Sequence, residues 1–129
     1  MDDKAFEKLV ADGIDAVPAK FTSRLNNVAI VIEDAPTAEQ LATGHVHPGW
    51  TLFGLYQGVP QNKRGNYTMV LPDKITIFKL PILFAAANDP ERVKEIVRNT
   101  VWHEIAHHFG LNEAEVRALE AKRQQQKSF

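Results

Sequence analysis

The stretch VWHEIAHHFGLNEAEV, residues 101–116, decides how this chain is read. It contains His103-Glu104-Ile105-Ala106-His107, followed by His108-Phe109-Gly110. On a helix, residues four apart project from the same side, about 40° from one another, so both imidazoles reach one ion. Glu104 is turned about 100° from His103, close enough to act on a water held by that ion without binding the ion itself. Zinc lowers the pKa of its water towards ~7, and a carboxylate then takes the proton as hydroxide attacks a carbonyl. His103 and His107 are thus expected as metal ligands and Glu104 as the general base.

The flanks support a helix. Asn88-Asp89-Pro90-Glu91 reads as its start, with an Asx cap, proline in the first turn and an acid near the positive dipole end. It should run to about Phe109 and stop at Gly110, a residue suited to the left-handed C′ position. Val93, Val97 and Val101 form an apolar stripe, lying about 80°, 120° and 160° round from His103. His103 and His107 fall beside that stripe, sharing their edge with Ile96 and Thr100, where a cleft can open. The five-residue pattern alone arises by chance in about 1% of sequences of this composition. The plain alternative is a pair of partly buried, hydrogen-bonded histidines. His108 falls about 140° round, over the valines, and is expected to pack in the core or behind the ligands.

A catalytic zinc site takes three protein ligands and keeps one position open. The chain has no cysteine, so only His, Asp or Glu can serve. Beyond His107 the acids are Glu113, Glu115 and Glu120. Glycine at 110 lets the backbone reverse, and H-E-x-x-H-x-x-G-x-x-ligand, the metzincin spacing, ends here on Glu113. Glu113 also suits the first turn of a last helix beginning at Asn112, and the two roles are compatible. Glu115 is the reserve, although a capping box with Asn112 competes for it. His45 and His47, in GHVHPGW, lack a third partner in sequence and read as cleft or loop residues.

Working outward, residues 2–16 place Phe6, Leu9, Val10 and Ile14 at helical spacing, with Gly13 weakening the end and Pro18 marking the exit. VAIVIED (28–34) is of strand length and is closed by Pro36; residues 35–50 read as loop. TLFGLYQG (51–58) is a second strand, in which Gly54 signals a bulge or a close backbone approach. KITIFKL (74–80) alternates, and Pro72 and Pro81 around it fit an edge position. The order of helix, three strands and two helices predicts a single α+β domain over 1–129.

Composition bounds the rest. With 129 residues, 44% of them hydrophobic and 24% charged, the chain reads as globular. A net charge of −1 gives no electrostatic case for nucleic acid or membrane as a partner. The acidic stretch through Asp15 and the basic end (Lys122, Arg123, Lys127) read as solvated faces. Residues 1–20 lack the apolar core of a secretory signal, and no run approaches the ~18 apolar residues of a membrane span. Cytoplasm is therefore the default expectation, and a monomer is expected.

Three stretches, FGLYQGVP (53–60), LPDKITIFKLPI (71–82) and the motif region 101–116, resemble the small bacterial zincin-like metallopeptidases, formerly described as a domain of unknown function. The resemblance implies a minimal zincin fold: a short twisted sheet of about three strands with an N-terminal helix, an active-site helix and a C-terminal helix. It also implies one zinc per chain on His103, His107 and Glu113, with Glu104 catalytic. Its substrates would be peptides or unstructured protein, pairing along strand 75–80 as the cleft edge. Tyr67, Tyr56 and His47 are candidates for the group that stabilises the transition state beside zinc. The chain departs from the family in two respects. Asp is common where Glu113 stands, and the methionine turn of true metzincins is missing. The expected function is a zinc-dependent metallopeptidase. The alternatives are a non-catalytic zinc-binding module that docks a protein partner, or a purely structural zinc.

Overall fold

The computed structural model describes residues 1–25, 27–44, 51–58 and 73–111, together with 114, 115, 118 and 121. Helix α1 (Asp3–Asp15) starts where the Asp2 carboxylate accepts from the Ala5 N–H at 2.8 Å. Gly13 lies inside this helix, buried where α1 meets the long helix α5 (Pro90–His108). A Cβ there would stand 3.5 Å from Val101 Cγ2, an ordinary contact, so the glycine is a weak point in propensity only. Between these helices come α2 (Ala19–Thr22), β1 (Val28–Glu33), α3 (Ala38–Thr43), β2 (Gly54–Gln57), β3 (Asp73–Phe78) and α4 (Lys79–Ala85). Ala114, Glu115, Ala118 and Ala121, in the span expected for the last helix, are helical.

The three strands form one mixed sheet in the order β1-β3-β2, with β1 parallel and β2 antiparallel to β3. The α+β class and the minimal zincin-like architecture hold. Strand alternation puts Val28, Ile30, Ile32, Tyr56, Ile75 and Ile77 on one face, packed with Phe6 and Val10 of α1 and Val93, Val97 and Val101 of α5. Leu55, Thr76 and Phe78, on the opposite face, are buried too.

The edge position expected for 74–80 is wrong: β3 is the central strand, paired on both sides. Pro81 does not end a strand edge. It sits in the first turn of α4, where the amide hydrogen that proline lacks would have no helical partner in any case. Residues 38–43 are helical rather than loop, because Thr37 and Gln40 form a capping box. Helices α2 and α4 are likewise additions to the expected order.

The His-Glu-His centre and the strand beside it

Helix α5 is bounded as its sequence predicts. Asp89 caps the Glu91 N–H at 3.2 Å, and Pro90 occupies the first turn. At the other end Gly110 takes φ 78°. Its N–H donates to the His107 carbonyl (2.9 Å) and that of Leu111 to the Ala106 carbonyl (3.2 Å). This pair of bonds is a Schellman ending, and it turns the chain back immediately after the motif.

Along the helix, Val93, Val97, Val101, Ile105 and His108 are fully buried and anchor one face to the sheet and α1. His103 and His107 are half-buried at the border of that face, with ring centroids 4.7 Å apart and planes near perpendicular. Glu104 is buried beside them. One ligand atom from each of the three lies within 4.8 Å of the others. Two imidazole nitrogens converging on one point, with a carboxylate next to them, is a donor set that fits zinc.

Strand β2 explains why Glu104 can be buried here and still face a space. Gly54 lies against α5 so closely that a Cβ on it would come 2.6 Å from Thr100 Cγ2 and 3.1 Å from Glu104 Cγ. The close backbone approach expected of this glycine is therefore present. The Thr100 hydroxyl donates to the Ile96 carbonyl at 2.7 Å, and its methyl group meets the strand. Between strand and helix lies a cleft of about 390 Å³. Its apolar walls come from Leu52, Phe53 and Ile96, and its polar border from His103 and Glu104.

Two residues further along β2 the same contact closes. Tyr56 faces α5, and its hydroxyl donates to Asp73 Oδ2 at 2.7 Å. The same carboxylate oxygen lies 2.8 Å from Nδ1 of His108, which is fully buried. Gly58 is packed against the other oxygen, where any Cβ would collide with the carboxylate. His108 thus packs in the core behind the His103–His107 pair, as the helical wheel predicts, and Tyr56 is engaged with Asp73 and is not part of the cleft lining. Sequence reasoning missed Asp73. Its partner is 35 positions away, and no local spacing signals the pair.

The expected cleft edge, strand 75–80, is corrected by the sheet order. The strand that borders the cleft is β2, and among the described residues it pairs on one side only. Glu113, His45, His47 and Tyr67 lie outside the described residues. Glu115 is helical and exposed. No helix among the described residues is long and apolar enough to cross a membrane.

Comparison with curated proteins found no match. A family model for zincin-like metallopeptidases matches residues 25–123, a span that contains all three strands, the active-site helix and the turn beyond it. That family implies zinc, which agrees with the His-Glu-His donor set. By this match and by its fold, the chain belongs to the zincin-like metallopeptidase family.

Proposed function

We propose that this protein is a zinc-dependent peptidase in which His103, His107 and Glu113 hold the metal and Glu104 is the general base. The observation that carries the reading is the convergence of His103, Glu104 and His107, two of which, His103 and Glu104, border a cleft with apolar walls. Zinc supplies Lewis-acid polarisation of the scissile carbonyl and a more acidic water. Glu104 receives the proton from the attacking water and passes it to the leaving amine. Its burial against Gly54 limits competing solvent and fixes its approach. The peptide lies along the edge of β2 that is unpaired among the described residues, where backbone hydrogen bonds hold an extended chain and leave its side chains to the cleft. Substrates are therefore peptides or unfolded segments, since a folded chain does not present a free strand.

The test is Glu104→Gln, which preserves size and hydrogen bonding and removes the base. The variant should bind zinc as the wild type does and lose ~10²–10⁴-fold in hydrolysis of mixed unstructured peptides, read by mass spectrometry. Full zinc occupancy with no cleavage by the wild type would favour a module that binds a partner. Cleavage that survives unchanged in the variant would end the catalytic assignment.

A further inference from the structure

The second contact between β2 and α5 bears on the metal centre without touching it. We infer that Asp73 is a positioning residue: by holding His108 and Tyr56 together it fixes the rotation of α5 about its own axis, and with it the aim of His103 and His107. The inference rests on the metal site proposed above.

Three observations converge. Asp73 Oδ2 accepts from the Tyr56 hydroxyl at 2.7 Å and lies 2.8 Å from His108 Nδ1, so one oxygen ties the edge strand and the helix to the central strand. Asp73 is 4% exposed and His108 0%, so water does not compete for the bond between them. Gly58 closes over the same carboxylate with no room for a side chain.

The rest of the helix interface cannot fix rotation so well. The face against the sheet and α1 is built from Val93, Val97, Val101 and Ile105, whose packing is not directional. A hydrogen bond from His108 is directional, and His108 is covalently next to His107. Ring nitrogens stand about 6 Å from a helix axis, so a rotation of roughly 10° displaces them by ~1 Å. Functional geometry tolerates about half that. Replacing the Asp73 carboxylate by a neutral amide, a weaker acceptor with a donor in place of one oxygen, should therefore cost metal affinity in a protein that is still folded, on the ~10–100-fold scale of losses behind a ligand shell.

The experiment compares Asp73→Asn, Tyr56→Phe and Val93→Ala with the wild type. Val93→Ala is a core truncation in the first turn of the same helix and serves as a control for stability alone. Each protein is titrated with zinc against a competing chelator, and its cobalt(II) form is examined by visible absorption, which reports ligand geometry independently of peptidase activity. Melting temperature is measured on the same samples. Asp73→Asn should weaken zinc binding at least ~10-fold and alter the cobalt spectrum. Tyr56→Phe should shift both in the same sense by less, and Val93→Ala should lower the melting temperature with neither change. A folded Asp73→Asn with wild-type affinity and spectrum would overturn the inference. So would a Val93→Ala that loses as much affinity for the same loss of melting temperature. If Asp73→Asn does not fold, an unchanged spectrum in Tyr56→Phe overturns it. A wild type that binds no metal would remove the proposed function and this inference together.

Discussion

Strand β2 meets helix α5 twice within three residues, and the two meetings have opposite characters. At Gly54 there is no side chain, and the strand presses on Thr100 and Glu104 beside an open cleft. At Tyr56 a large side chain fills the gap, and its hydroxyl joins Asp73 and His108 in a sealed contact. The same pair of elements thus gives one border open to the cleft and one filled and hydrogen-bonded, and the switch is the size of one alternate side chain. Glu104 thus has open space on one side, and the helix that carries it has a directional contact on the other.

That contrast can be broken experimentally. The largest expected effect after Glu104 belongs to the proposed third ligand, Glu113. Glu113→Ala should weaken zinc affinity at least ~10-fold in a chelator competition, whereas Glu115→Ala should change only helix stability, by ~1 kcal/mol. A reversed ranking would mean that Glu115 is the third ligand. Next comes Gly54→Ala. Its Cβ meets Thr100 Cγ2 at 2.6 Å, so strand or helix must move, at a cost of about 1 kcal/mol or more in denaturant unfolding. Adding Thr100→Ser removes that methyl and should recover part of the loss, while the cleft stays narrowed and peptide KM stays raised. A double variant no more stable than Gly54→Ala would show that the strand is not held against Thr100.

The smallest effect belongs to a third contact, remote from both in sequence. The Lys79 ammonium lies 2.6 Å from Asp3 and holds its carboxyl below the ordinary carboxylate value, through their hydrogen bond and then through charge. A depressed folded-state pKa contributes stability that is present above the unfolded value of 3.8 and is lost as pH falls through the folded value. Thermal melts should therefore show Asp3→Asn losing a small part of the acid dependence below about pH 4. Zinc affinity at neutral pH should be unchanged. An identical acid profile in the variant would mean the bridge does not couple to folding.

The sequence made α5 legible to within a residue at each end, because its signals are local. Asp89 caps, Pro90 suits the first turn and Gly110 takes the positive φ. The wheel also placed His108 inside and the ligand pair at the border. What escaped was long-range or shared between readings. Pro81 fits a strand edge and a helix first turn equally well, and only the sheet order decides between them. Residues 35–50 read as loop from Pro36, Gly44, Pro48 and Gly49, and that punctuation hides the Thr37–Gln40 capping box. Asp73 looked like an ordinary polar residue before a strand; its role exists only once β3 is placed beside Tyr56 and His108.

The contact between α1 and α5 has a consequence for how the molecule is made. Gly13 and Val101 touch across nearly the whole described chain, and β1 pairs with a strand that begins only at residue 73. Both pairings close long loops before any compensating contact forms, which slows folding and favours late cooperative closure. During synthesis the apolar face of the sheet lacks the greater part of its cover until α5 has emerged, since α1 supplies only Phe6, Val10 and their neighbours and α5 brings its own half of the core with it. The segment that completes the fold also carries His103, Glu104 and His107, so a chain made only as far as β3 has neither a closed core nor the His-Glu-His cluster.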